Sequence, residues 1–188
     1  MPGTANGCQA LLIIDMIHPL DFPEAESLAP SVLAAARCIV RLRRAFHRRD
    51  LPVIYANDNF ANWKSDFREL VARCAGAGGT AQQVAELLRP GADDYFVLKP
   101  KHSAFLATAL PVLLAKLGVG SLYLTGMTAE SCVLATALDA NTREYRVRVV
   151  RDAVAGSVDG MRAAFAVLEA SKAAGVVSSR SAMAALRS

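Results

Sequence analysis

Short apolar runs alternate with longer stretches of helical periodicity along the chain. The runs suit strands at Ala10–Asp15, Pro52–Asn57, Tyr95–Lys99, Ser121–Gly126, Arg146–Arg151 and Gly175–Ser178. Their apolar character is continuous, as in Leu11-Leu12-Ile13-Ile14, which is the pattern of strands buried on both faces. Helical patterns fill the intervals at Leu28–Arg49, Ser65–Ala75, Thr80–Leu88, Ala109–Leu117, Glu130–Thr142 and Val158–Ala173. Ser65 and Thr80 are the expected N-caps of the second and third helices, and Gly118 closes the fourth. Met183–Ser188 reads as a short final helix or a loose tail.

This alternation predicts an α/β fold: a three-layer α/β/α, doubly wound parallel sheet of about six strands, Rossmann-like in outline. Neither an internal repeat nor a dividing linker is visible, so residues 1–188 are expected to form a single domain. Gly76-Ala77-Gly78-Gly79 joins two helices; it follows no strand and lacks the G-x-G-x-x-G spacing of a phosphate loop.

Composition narrows the class. Hydrophobic residues make up 53% and charged residues 20%, a globular balance. No apolar run reaches the ~20 residues of a membrane span. The run Ala10–Ile14 stops at Asp15 without a basic leader or cleavage site, so a cytoplasmic location is expected. Cys8, Cys38, Cys74 and Cys132 form no C-x-x-C pair and offer no zinc-ligand spacing, so free thiols and no metal or other cofactor are expected. The net charge of +4 owes much to Arg37, Arg41, Arg43, Arg44, Arg48 and Arg49, in one helix. With no aromatic interleaving or reader motif beside them, they read as a solvated outer face, not a nucleic-acid or membrane surface.

In open parallel sheets, ligands bind beyond the carboxyl ends of the strands. The chemically capable residues there are Asp15, the run Asn57-Asp58-Asn59, Lys99 and the segment Thr128–Cys132. Asp15 ends a fully apolar strand, where a carboxylate is either paired and useful or caps a turn toward His18. Lys99 is either a fixed positive charge or a side chain with its amine in water; Lys101 reads as the latter. Cys132 falls where a helix starts, and the positive helix end favours its thiolate; the alternative is a small buried hydrophobe. Adjacent helix positions point about 100° apart, so Ser131 and Cys132 are not both expected to face a pocket. Together, Cys132, Lys99 and Asp15 form a workable nucleophile, fixed cation and base. Trp63 either walls the pocket or anchors its loop. Phe22, Asn59, His102 and Met127 are further pocket candidates by location.

Four segments carry a family resemblance, in order. They are Leu11-Leu12-Ile13-Ile14-Asp15-Met16, Lys99-Pro100-Lys101-His102-Ser103-Ala104-Phe105, Leu124 to Val133, and Ala137-Leu138-Asp139-Ala140 leading to Val149-Val150-Arg151-Asp152-Ala153. On these the chain resembles the isochorismatase-like cysteine hydrolases. The resemblance implies a triad of Asp15, Lys99 and Cys132, a cis peptide before Thr128, and an oxyanion hole of the Thr128 and Cys132 N–H groups. It also implies a small-molecule substrate and a homo-oligomer, dimer or tetramer. Cysteine at position 132 favours amide-type substrates over isochorismate. Relatives of the nicotinamidase kind bind a metal after the second strand with an Asp and histidines; here Asp58 is present but no histidine follows it. The expected activity is cysteine-dependent hydrolysis of a small-molecule C–N bond, amide or carbamoyl, through a thioester. The alternatives are vinyl ether hydrolysis with Asp15 as acid, and a non-catalytic binding module.

Overall fold

The computed structural model describes residues 7–60, 64 and 66–186. Six strands form one parallel sheet: β1 (Cys8–Ile14), β2 (Val53–Asp58), β3 (Tyr95–Lys99), β4 (Val119–Met127), β5 (Arg146–Ala155) and β6 (Gly175–Val177). The helices are α1 (Ala25–His47), α2 (Phe67–Gly76), α3 (Gly79–Leu87), α4 (Leu110–Lys116), α5 (Leu134–Thr142), α6 (Val158–Ala170) and α7 (Ser179–Ala185). A π-helical turn, Ala129–Val133, leads into α5.

Strand residues alternate between two cores, so both faces are covered, as continuous apolar runs require. Leu11, Ile13, Tyr55 and Tyr123 pack with α1, α2, α3 and α7. Leu12, Ile14, Leu122 and Leu124 pack with α4, α5 and α6. The three-layer α/β/α architecture is the expected one. Among the described residues, no helix is long and apolar enough to cross a membrane.

The strand order is β3-β2-β1-β4-β5-β6. The winding therefore reverses between β1 and β4, and the crevice of a doubly wound sheet opens beyond their carboxyl ends. Asp15 leaves β1 there, and Thr128–Cys132 leaves β4.

Several boundaries differ from the sequence reading. Helix α1 starts at Ala25 and carries Pro30 inside it. Arg37, Arg41, Arg44 and Arg48 are exposed on its outer face. Arg43 instead bonds the Tyr55 hydroxyl and the Arg89 carbonyl, and Arg49 the Leu186 carbonyl. Ser65 lies outside the described residues; Asp66 caps α2, in a capping box with Glu69. Thr80 is not a cap, because α3 begins at Gly79 behind Gly78, whose φ of 77° suits glycine. The helix expected from Glu130 opens as the π-helical turn, and the C-terminus forms α7, capped by Ser178.

Candidate functional site at the ends of β1, β3 and β4

Asp15 has a φ of 52°, an uncommon conformation that turns the chain out of β1. Its carboxylate is 5% exposed. Oδ1 accepts the Asp58 N–H at 2.7 Å, and Oδ2 lies 2.7 Å from Lys99 Nζ. Nearby, buried Asn57 donates from Nδ2 to the Ile17 carbonyl at 2.7 Å, tying the segment after Asp15 to the end of β2.

The Lys99 side chain has no solvent exposure. This decides between the two sequence readings: it is a buried cation, not one with its amine in water. Nζ donates to the Lys101 carbonyl at 3.1 Å and to Cys132 Sγ at 3.5 Å, with Asp58 Oδ2 at 3.8 Å. Lys101, by contrast, is exposed. The loop after Lys99 is held against α5: Ser103 Oγ bonds Asp139 Oδ2 at 2.7 Å, and the Ala104 N–H bonds Thr136 Oγ1 at 3.1 Å. These bonds give the motif at 99–105 and Asp139 a common physical purpose, which is to seat the lysine loop beside the cysteine turn.

Cys132 stands in the π-helical turn. The N–H groups of Ser131 and Val133 both close on the Thr128 carbonyl at 3.2 Å. The Met127–Thr128 peptide is cis.

Electrostatics oppose the expectation of a resting thiolate. Burial pushes the Cys132 thiol up to about 12, the Asp15 charge and hydrogen bond push the same way, and Lys99 pulls it down. Burial also raises Asp15 above the ordinary carboxylate range, against the lowering pull of Lys99 and the Cys132 hydrogen bond. For Lys99, burial alone would lower the pKa, but Asp15, then Cys132 and Asp58, hold it above the usual lysine value. Lys99 Nζ thus stands between the Asp15 carboxylate, at 2.7 Å, and Cys132 Sγ, at 3.5 Å.

The pocket candidates divide. His102 is exposed, with Nδ1 3.8 Å from Cys132 Sγ and 3.0 Å from Ser131 Oγ. Ser131 Oγ is itself 3.9 Å from Sγ, so Ser131 and Cys132 reach the same rim, contrary to the expectation from helical spacing. The Asn59 N–H bonds the Lys99 carbonyl at 3.2 Å, at the rim. Phe22 is half-buried, 5.3 Å ring to ring from His18. Met127 is a correction: it is 3% exposed and packs in the α1-side core. Trp63 lies outside the described residues. Among those described, no group of three or more His, Cys, Asp or Glu side chains is placed to hold a metal ion. Asp58, the residue weighed for that role, accepts the Phe60 N–H at 2.7 Å and flanks Lys99.

His18 was missed. Its ring meets Phe60 at 4.6 Å as well as Phe22, and Nδ1 accepts the Leu20 N–H at 2.8 Å. Burial lowers its pKa to about 4, with Asp21, Asp58, Arg73 and Lys99 close enough to modulate it. It is therefore a neutral histidine with Nε2–H as its donor.

Comparison with known proteins gives the family of the chain. Residues 9–182 match the isochorismatase domain. The uncharacterized isochorismatase family protein YaaI of Bacillus subtilis is 36% identical over 151 residues, spanning 80% of this chain and 82% of that protein. Maleamate amidohydrolase of Pseudomonas putida is 30% identical over 151 residues, spanning 77% of this chain and 71% of that protein. The crystal structure of N-carbamoylsarcosine amidase from Thermoplasma acidophilum superposes with a TM-score of 0.69 at 29% identity, covering 92% of this chain and 96% of that one. The domain match over residues 9–182, together with a relative 36% identical across 80% of the chain, makes the chain a member of the isochorismatase family of hydrolases.

Proposed function

We propose that the protein is a cysteine hydrolase that cleaves a C–N bond of a small amide or carbamoyl compound through a thioester. The observation that carries this reading is buried Lys99, whose Nζ lies 2.7 Å from the Asp15 carboxylate and 3.5 Å from Cys132 Sγ and so brings the two to one point. Asp15 takes the thiol proton as Sγ bonds the carbonyl carbon; its raised pKa makes it a better base than a solvated carboxylate. Lys99 offsets the negative charge that sulfur carries during attack. The N–H groups of Thr128 and Cys132, at the opening of the turn, receive the developing oxyanion. The C–N bond breaks as the Asp15 proton passes to nitrogen, and water then cleaves the thioester. Maleamate amidohydrolase and N-carbamoylsarcosine amidase, by their names, act on C–N bonds of small molecules, which supports the substrate class.

One observation favours a second reading. A carboxyl with a raised pKa is also suited to protonate a vinyl ether, the bond type cleaved when isochorismate is the substrate. Ammonia release across a panel of small amides and carbamoyl compounds separates the two. Turnover that disappears in Cys132→Ala supports the thioester route. Vinyl ether cleavage that survives Cys132→Ala but not Asp15→Asn supports the other. Full amide turnover in Cys132→Ala rules out the thioester.

A further inference from the structure

We propose that His18 is a specificity-determining residue of this site, whose Nε2–H donates to an oxygen, carbonyl or carboxylate, at the end of the amide substrate remote from the cleaved bond. The inference deepens the amide-hydrolase reading above and rests on it. Asp15, Lys99 and Cys132 meet only the atoms around the scissile bond, so the rest of a substrate must be read by other side chains. His18 comes three residues after Asp15, on the segment that the positive φ of Asp15 turns away from β1.

The ring is held as a donor. Nδ1 accepts the Leu20 N–H at 2.8 Å, which leaves the proton of the neutral imidazole on Nε2. Among the described residues nothing accepts from Nε2; Asp21 and Asp58 act on the ring as charges only. Nor is Nε2 sealed in the interior, as Gln9 Oε1, Asn57 Oδ1 and the Tyr123 hydroxyl are, so its N–H opens on accessible space. Phe22 at 5.3 Å and Phe60 at 4.6 Å fix the ring plane, at angles of 79° and 75°. Asp15, Leu20 and Phe60 hold positive φ values of 52°, 56° and 50°. Such backbone is uncommon outside glycine and clusters where a fold fixes the side chains that clamp a ligand.

A run of contacts leads from the sulfur to this ring. Lys99 Nζ lies 3.5 Å from Cys132 Sγ and 3.8 Å from Asp58 Oδ2. Asp58 Oδ1 accepts the Phe60 N–H at 2.7 Å, and the Phe60 ring meets His18. His18 itself bonds neither Asp15 nor Cys132, so it stands off from the reacting bond and moves no proton in it. An N–H walled by Phe22 and Phe60 favours a substrate oxygen over an apolar end that would leave it unpaired. Arg73, whose guanidinium lies 5.8 Å from the centre of the Phe60 ring, favours a carboxylate there, and the Asp21 charge opposes one. The assignment is therefore the acceptor oxygen that carbonyl and carboxylate share.

Ammonia release from succinamide, succinamate and butyramide tests this, because their chains have equal length and end in a carbonyl, a carboxylate and a methyl group. Wild-type kcat/KM should be about 10-fold higher for one or both of the first two than for butyramide, the size of one hydrogen bond. His18→Phe keeps a ring between Phe22 and Phe60 but has no N–H. It should lose that advantage, mainly through KM, with a much smaller effect on butyramide. His18→Gln brings an N–H donor back and should regain part of it. Whichever of succinamide and succinamate loses more in His18→Phe identifies the oxygen as carbonyl or carboxylate. A merely structural role would lower all three alike. Equal wild-type kcat/KM for the three, or equal losses in both variants with unchanged near-ultraviolet circular dichroism, overturns the role of His18 and leaves the cysteine-hydrolase reading standing. Ammonia release from none of them overturns the substrate class assigned through His18. Full turnover in Cys132→Ala overturns the reading on which that assignment rests.

Discussion

Gly126 fits against Ile14 only because it has no side chain. A Cβ built at Gly126 overlaps the Ile14 carbonyl oxygen and lies 2.6 Å from the Ile14 nitrogen. Its φ of 113° is also in the region that glycine alone adopts readily. Ile14 immediately precedes Asp15, so this close approach of β4 to β1 sets the spacing between the strand that delivers the carboxylate and the one that delivers the cysteine. Gly126→Ala should abolish soluble expression or lower stability by several kcal/mol, since backbone on both sides has no room to yield. Gly76→Ala is the control: nothing lies within 4 Å of a Cβ there, at the end of α2. Chemical denaturation of both variants checks the contrast; equal stabilities would remove the packing argument.

The Lys99–Asp15 pair should behave as a buried ion pair does. Lys99→Met leaves a carboxylate 5% exposed with no cation at 2.7 Å. Breaking such a pair from one side costs about 3–5 kcal/mol, while replacing both partners with apolar groups costs far less. Lys99→Met should therefore be markedly destabilised, and Lys99→Met with Asp15→Leu should recover much of the loss. Both should be inactive on amides. A double variant less stable than either single one in urea titrations would mean the pair is not coupled.

The fold and the three central residues were legible because strands buried on both faces announce themselves as apolar runs. Polar residues that interrupt such runs must then fall at the strand ends, where doubly wound sheets bind ligands. Asp15 and Lys99 follow this logic; Cys132 lies in the turn beyond β4, where the start of a helical pattern marks it. Met127 was misplaced because β4 runs one residue beyond Gly126, and the next position of the strand turns into the core. Ser131 was set aside on α-helical spacing, but the turn is π-helical and both side chains reach the rim. His18 gave no periodic signal. Its place depends on the positive φ of Asp15 and on rings from two separate segments, Phe22 and Phe60, which only the folded chain brings together.

Cys132 should be a slow thiol at rest. With its pKa pushed up to about 12, alkylation by iodoacetamide at pH 7 should be far slower than for a free thiol, whose pKa is about 8.5. Asp15→Asn removes the nearest negative charge and leaves Lys99 facing sulfur at 3.5 Å. The thiol pKa should then fall, and alkylation at pH 8 should speed up several-fold while amide turnover is lost. Peptide mass mapping of all four cysteines reads this directly. Cys74, which burial raises to about 11, serves as an internal reference that Asp15→Asn should not change. Rapid alkylation of Cys132 at pH 6–7 in the wild type would show that the helix-start charge dominates after all.

His18 should make the fold sensitive to mild acid. Its folded pKa is lowered to about 4 by burial, from an ordinary value of 6.5. Between those values the unfolded chain binds a proton that the native protein does not, so stability rises with pH across that window. The contribution is fully present above pH 6.5 and is lost as pH falls toward 4. At 1.36 kcal/mol per unit it amounts to about 3 kcal/mol at most, and less because the ring is only partly shielded from solvent. His18→Gln cannot be protonated in this range. The unfolding free energies of the two proteins, measured in urea from pH 4 to pH 7, should therefore converge as the pH falls. Wild type loses stability toward acid that the variant does not. Curves that stay parallel across the window would mean that His18 is protonated as easily in the fold as out of it, and that its ring between Phe22 and Phe60 is open to water.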